Sequence, residues 1–505
     1  IRQFNNKNIS GKSKIDMSPY QVWQTIMKDP AMKLIEDINP IQNLKENEII
    51  TYVGEGGRAK EAMNKASRAY HVNDMGVVSE ATVDSSDVGI NAYLSANPNF
   101  KDLRGIMKKD KSYKPTNIFS TAALLAPGME SDDSKRVNFI SIQQSHTIAA
   151  EGYRQPYVRT GYDYVIANRT SEMFAYTAKQ EGIVTELTED GIIIEYKDKT
   201  KVGLQLGRIH GKAEGSVYPH DVVTHLTVGK KFTKGDVICY NTGFVEQDIL
   251  DPSKIIMKTG FPVKTALYES TQTHEDASSV SKRLTTKLTA KTTKVKSLTI
   301  DFRQNLINVV KEGQTVQPKD NLLIIEDTIT SSSNAFDDET LALLQNLSNQ
   351  SPKAKYNGIV DKIEVYYHGD KDDMSPSLKA LANKSDKMLA ASRKATNQPI
   401  ITGEVNSEYR VGGTPLGLDK AEIKIYITIS TPVGVGDKGV YANQLKSVIG
   451  EVMDYEMVTE DGETIDAIFG FRSIANRIVL SPIIIGTTTS LLKQIAKKAV
   501  EIYKG

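Results

Sequence analysis

Four isoleucines, Ile423, Ile425, Ile427 and Ile429, alternate with polar residues through EIKIYITIS. That period of two predicts a strand over 422–430 with one buried face. Gly434 and Gly436 then break it. The same period marks EGIVTEL and DGIIIEY as strands paired around a Glu-Asp-Gly turn, opening a strongly β stretch over 181–262. Tyr20, Trp23, Ile26 and Met27 recur at helical spacing, so 12–50 reads as helical with Trp23 in its core. Gly54, Gly56 and Gly57 mark a loop entering a short polar helix. STAALLAPG, Ser120 to Gly128, reads as a small-residue helix ending at Pro127. Strands expected at 359–367 and 399–410 bracket a Lys/Ser/Ala-rich helical pattern over 369–399, and a Ser/Asn-rich stretch, 327–355, precedes them. Together these describe an insertion with a mobile tip. GKKFTKGD, 229–236, is echoed by GQTVQPKD, 313–320, each before a short apolar strand. The chain closes with an apolar run, Ile478 to Ile485, a Gly-Thr-Thr-Thr break and a helix over Leu491 to Tyr503.

Composition narrows the function classes. The 505 residues, 39% hydrophobic, suffice for several cores, and length suggests two to four domains of roughly 100–200 residues. Lys and Arg total 63 against 62 acids, so no bulk basic field announces nucleic acid and any such binding must be local. The single cysteine, Cys239, excludes an internal disulfide and a cysteine zinc site. Its apolar flanks suit a buried structural thiol in a reducing compartment. No apolar run approaches the roughly 18 residues of a membrane span, and IRQFNNKNIS lacks a signal-peptide apolar region. A soluble, intracellular chain is expected, with residues missing or processed before Ile1. GRIHGKA, 207–213, has three residues between its glycines and Ala213 after the lysine, so it fails as a phosphate loop. His210, His220 and His225 lack metal-ligand spacing and read as structural.

The informative chemistry lies in VGVGDKGVYANQLK, 433–446, where Lys438 and Lys446 stand eight residues apart behind a Gly-Asp turn. Such a cation pair suits phosphate, although a solvated face presents the same pattern. This stretch resembles the catalytic-pocket segment of the β subunit of multisubunit RNA polymerases, and six further blocks resemble that subunit in its order. GEGGRAKEAMNKASRAYH, 54–71, is similar to the fork loop, with Arg68 and His71 on its arginine and histidine. VVSEATVDSSDVGINAYL, 77–94, matches a proline-rich run whose prolines are gone here. STAALLAPGMESDDSKRVNF resembles the helix and acidic turn before an active-site arginine, which falls on Arg136. Gln144 then keeps its place, while Ser145 and His146 stand where arginine and glutamine are usual. GKKFTKGDVICYNTGF and YESTQTHEDASSVSKRL bring the paired acids Glu275 and Asp276, and DAIFGFRSIANR, 466–477, ends on Arg477 in place of a terminal arginine. The β N-terminal half, the C-terminal clamp segment and the acidic metal motif of the β′ subunit have no counterpart. The chain thus resembles the C-terminal β fragment of the split polymerases of giant bacteriophages.

The resemblance implies an α+β, mostly β fold. A double-psi β-barrel would be assembled from about 200–290 and 415–485, with a flap-like insertion and an N-terminal helical and fork region. The expected segments are 1–50 helical, 51–180 fork and active-site lining, 181–298 first barrel part and hybrid-binding region, 299–412 flap-like insertion, and 413–505 second barrel part and terminal helix. Lys438, Lys446, Arg477 and Arg136 would meet nucleotide phosphates and the RNA 3′ end. Glu275 and Asp276 would orient a second metal ion, or else form an acidic turn capping the next helix. Arg58, Lys60, Arg68, Gln144 and His146 would contact nucleic acid, the first two through its backbone. Mg²⁺ would be held mainly by a β′-like partner. Further partners implied are an N-terminal β-like fragment, a promoter-specificity subunit, DNA template, RNA transcript and nucleoside triphosphates, without a membrane. The implied location is the cytoplasm of an infected bacterial host, or the virion. The alternative reading is a non-catalytic β-like scaffold that binds DNA or transcription factors.

Overall fold

The computed structural model describes residues 19–504 except 30–31, 55, 84, 103, 109–112, 214 and 327–350. The described chain is mostly β with some helices. Its longest ladder grows from the isoleucine alternation. Strand Lys420–Thr431 pairs antiparallel with Ala290–Asp301 over its whole length, Lys420 opposite Asp301 and Thr431 opposite Ala290. Gly358–His368 pairs along its other edge. Ala421, Ile423 and Ile425 are fully buried and join Val360, Val365, Leu378 and Ala382 in the largest core. Each isoleucine, valine or leucine among them contributes roughly 1.5–3 kcal/mol by leaving water, and each alanine less. Helix Pro376–Ala395 covers this face. Ser375 caps it by accepting from Leu378 N, proline begins it, and Arg393 and Lys394 occupy its last turn, where cations meet the negative helix end. The insertion therefore leaves and returns through one strand pair, and its Ser/Asn-rich tip lies largely outside the described residues.

The same sheet continues through Ser216–Val223 and Val237–Asn241 to Ala175–Thr177. Gly207–Ala213, the GRIHGKA segment, is a strand paired with Ser216–Val223 and not a loop. The three histidines each have a protein partner. His220 Nε2 donates to Asp37 O at 2.8 Å and its Nδ1 accepts from Asn241 at 3.0 Å. His210 bonds Asp361, and His225 bonds the Tyr240 hydroxyl. Cys239 is buried, and burial pushes its thiol up to about 12.

The echo between 229–236 and 313–320 is a shared turn. Thr233 N donates to Asp236 Oδ2 at 2.7 Å and Gln317 N to Asp320 Oδ2 at 2.8 Å. The residue before each aspartate is left-handed, Gly235 at φ 92° and Lys319 at φ 79°. A third copy, invisible in the echo, is Gly434–Asp437, with Gly434 N donating to Asp437 Oδ2 at 2.8 Å and Gly436 at φ 92°. It launches Lys438.

Several expectations are corrected. The 12–50 region holds two short helices, Pro19–Met27 and Pro40–Asn47, with residues 12–18 outside the described set. Trp23 is 55% exposed and not core. Ser120–Gly128 contributes only a 3₁₀ turn, Ala123–Leu125, because Leu125 N and Ala126 N bond three residues back while the small side chains are packed inward. The 399–410 strand reduces to Arg410–Val411 plus a single bridge at Glu404, since Gly403 must pass where a Cβ would lie 2.1 Å from Val365 O. The Gly-Thr-Thr-Thr sequence does not break the last helix, which runs from Ser481 to Lys504. One helical glycine costs only about 1 kcal/mol against alanine.

Near the N-terminal side, Glu48 accepts from Thr121 Oγ1 at 3.2 Å beside Glu80, which takes two bonds from Ser120. Burial first, with Glu80 adding, pushes the Glu48 carboxyl up to about 7. A native acid with a raised pKa favours its protonated form, so stability falls as pH rises from the unfolded value through about 7. Moving that carboxyl from 4.5 to about 7 corresponds to ~3 kcal/mol. Glu48→Gln is therefore expected to raise the melting temperature at pH 8, with the gain shrinking as pH falls toward 4.5. A pH-independent gain in thermal unfolding would contradict this.

Candidate functional site

The hairpin Lys438–Tyr441 and Leu445–Met453 forms one end of a five-stranded sheet. The sheet continues through Ala277–Ser281 and Ala467–Phe469 to Thr265–Leu267, with two parallel pairings, and its described ladder is open at both ends. Register decides where the lysines go. Lys438 faces Val448 and Lys446 faces Val440. All four are exposed on one side of the hairpin, with the two lysines as diagonal neighbours roughly 7–8 Å apart. Neither lysine has an ion-pair partner among the described residues. The opposite side is anchored: Leu445, Ser447 and Ile449 are buried, and Tyr441 stacks on Phe469 at 4.9 Å.

The hairpin tip is strained and held from outside. Ala442 and Asn443 lie at φ 46° and 71°, and a left-handed alanine costs roughly 1–2 kcal/mol. Gln144 Nε2 donates to Asn443 Oδ1 at 3.1 Å. Gln444, 1% exposed, donates to Asp132 and to Ser481 Oγ. Gln144 stands at the end of helix Ser134–Ser145, whose first turn carries Arg136. Asn39 braces that helix from the N-terminal side. Its amide donates to Gln144 O, Ser145 O and Thr147 O while its Oδ1 accepts from Gln42 N, so one buried side chain ends one helix and begins another.

A second charged group lies on segments tied to the hairpin tip through Asp132 and Gln444. Arg477, just beyond helix Phe471–Ala475, donates to Asp276 and to Ser473 O. Arg136 lies close enough that burial, then the like charge of Arg477, lowers its pKa, with Asp276 and Asp133 acting oppositely. The two guanidiniums stand against the carboxylates of Asp276 and Asp133, so a phosphate arriving here would compete with Asp276 for the Arg477 fork. Glu275 differs from its neighbour. It sits at φ 47° with an 87% exposed side chain 3.9 Å from His274. Neither acid caps the next helix, Lys282–Lys287: strand Ala277–Ser281 intervenes and Ser281 Oγ accepts from Leu284 N.

The structure thus brings Lys438, Lys446 and Gln144 to one hairpin, and Arg136, Arg477 and Asp276 to one cluster. His146 ends the helix that carries Gln144 and Arg136. Arg58, Lys60 and Arg68 lie apart, on the stretch that follows the short strand Ile49–Thr51. Lys60 pairs with Asp87 at 2.5 Å, and Arg68 donates to the carbonyls of Met63, Ser86 and Val88. Arg58 is exposed beside Val53. Asn39, Asp132, Asn443 and Gln444 are positioning groups that no sequence spacing announced. Among the described residues no helix is long and apolar enough to cross a membrane.

A family described as "Bacteriophage RNA polymerase" matches residues 1–61. The DNA-directed RNA polymerase subunit beta of Malacoplasma penetrans is 21% identical over 98% of this chain, which spans 39% of that protein. The subunit beta of Thermus thermophilus is 26% identical over 25% of this chain and 11% of its own length. That of Bartonella tribocorum is 29% identical over 25% of this chain and 9% of its own. The chain is homologous to bacterial RNA polymerase β subunits.

Proposed function

We propose that this chain is a β-like subunit of a multisubunit DNA-directed RNA polymerase and that it holds nucleotide phosphates and the RNA 3′ end during template-directed synthesis. The observation that supports the reading is the pairing of Lys438 and Lys446 on one exposed hairpin side, with Arg136 and Arg477 clustered on two further segments that Asp132 and Gln444 tie to the hairpin tip. In nucleotidyl transfer a 3′ hydroxyl attacks an α-phosphate and pyrophosphate departs. Cations fixed beforehand stabilise the charge that develops. The arginines offer planar forks to phosphate oxygens, and the lysines act as point charges.

The metal ion needs separate treatment. Asp276 is already engaged by Arg477 and Glu275 is exposed, and the described residues contain no cluster of three ligating side chains. This donor set does not form a metal centre among the described residues. Under the proposed reading Mg²⁺ is held by a β′-like partner, and the paired acids orient the phosphate cations and water. Partner chains also suit the last helix, where Leu491, Ile495, Ile502 and Tyr503 are all more than half exposed. The finer proposal is a split β of the giant-bacteriophage type, its five-stranded sheet completed into a double-psi barrel and its place the infected cell or the virion.

Co-expression with β- and β′-like chains from the same genome tests the reading. The assembled complex is expected to extend a primed RNA on template DNA, and the purified chain alone to make none. Extension by the lone chain, or a complete complex that forms yet never synthesises RNA, would sink the proposal. The latter would favour the scaffold.

A further inference from the structure

Asp132 gathers four donors. Its Oδ1 accepts from Leu480 N at 2.8 Å and Ser481 N at 2.9 Å, and its Oδ2 accepts from Ser481 Oγ at 2.5 Å and from Gln444 Nε2. Gln444 Nε2 also donates to Ser481 Oγ at 2.8 Å, and Gln444 and Ser481 are almost wholly buried. The positions of these residues give the cluster its interest. Asp132 precedes Arg136 by four residues, Gln444 precedes Lys446 by two, and Leu480 follows Arg477 by three. One carboxylate therefore ties together the three segments that deliver Arg136, Lys446 and Arg477.

We propose that Asp132 is a positioning residue that holds these cations in a single geometry for the substrate phosphates, an inference that rests on the polymerase reading above. Local helix capping does not account for the arrangement. Ser481 could cap its own helix, yet its hydroxyl is given to a carboxylate 349 residues away in sequence. The Gln444 amide is oriented by the same group: its donor end meets Asp132, while its Oε1 is buried without a partner. Turning the amide over would set an oxygen against a carboxylate. Because bonds to an ionised acceptor are about twice as strong as neutral ones, the hairpin tip, the start of helix Ser481–Lys504 and the approach to Arg136 move as one unit. Cations displaced by about 1 Å can cost up to about a hundredfold in rate.

The test is a donor–acceptor exchange in the assembled polymerase. Asp132→Asn puts an amide donor where Oδ2 accepts, opposing Gln444. It is expected to raise the nucleotide concentration for half-maximal single-nucleotide addition and lower the maximal rate, together by about ten- to a hundredfold. Amide hydrogen exchange should quicken in both 438–446 and the first turn of the last helix. Asp132→Asn combined with Gln444→Glu reverses the polarity of the same bond. It should bring rate and exchange back to within about threefold of wild type, a recovery that lost folding would not show. The proposal is overturned if Asp132→Asn assembles with wild-type rate and nucleotide dependence. It is equally overturned if Lys446→Ala is slow but the exchange pair restores neither readout. If Lys446→Ala extends RNA normally while hydrogen exchange still follows the exchange pair, the clamp stands as structure and the phosphate reading falls.

Discussion

Lys446→Ala is expected to slow single-nucleotide addition by the assembled polymerase by about a hundredfold or more, while the chain still co-purifies with its partners. Lys446 is exposed on the outer side of the hairpin, and its removal leaves the anchored side, Leu445, Ser447 and Ile449, untouched. A charge whose partner is a bound polyphosphate matters when substrate arrives and not during assembly. Lys438→Ala should behave alike, since Lys438 is diagonal to Lys446 on the same face. Its launching turn is kept by Gly434 N and Asp437, which the substitution does not alter. Lys446→Arg retains charge and should recover part of the rate. Rapid-quench measurement of one addition step at subsaturating nucleotide decides the matter. Wild-type rates for both alanine variants in fully assembled enzyme would return the pair to a solvated face.

The strand that precedes the lysines was legible because alternation of isoleucine with polar residues has one physical solution, a half-buried strand. The lysines' shared face was not. Eight residues of separation says nothing about sidedness until the three-residue loop sets Lys438 opposite Val448. Helix Pro376–Ala395 could be read from composition because its caps are local. The continuous helix Ser481–Lys504 could not, because its N-terminal carboxylate partner is Asp132, which lies beyond any local window. Trp23 misled for the opposite reason. Helical spacing identifies an apolar face but not what covers it, and in this chain Trp23 stays exposed. Asp276 was legible as an acid in the right stretch. Its pairing with Arg477 depends on a strand and a helix meeting across 201 residues. Long-range polar contacts are where sequence periodicity carries no information, and the candidate site is built mostly from them.

Arg477→Ala is expected to lower single-nucleotide addition by about 10² to 10³-fold, and the reason can be separated from simple loss of an ion pair. Arg477 has two acceptors for its guanidinium in the free chain, Asp276 and Ser473 O, and after burial its like charge is the second cause that lowers the pKa of Arg136. If its task were only to neutralise Asp276, then Asp276→Asn should rescue Arg477→Ala, because the uncompensated carboxylate would be gone. If instead the guanidinium meets phosphate, the double variant stays slow and Asp276→Asn alone is mild. The phosphate reading predicts the second pattern. It further predicts that Arg477→Lys is slow, since an ammonium cannot reproduce a two-pronged contact. A double-mutant cycle on the assembled enzyme, with assembly checked by size-exclusion chromatography, reads both predictions together. Full rescue by Asp276→Asn would assign Arg477 to holding the acidic turn and leave Arg136 and the lysine hairpin as the phosphate contacts.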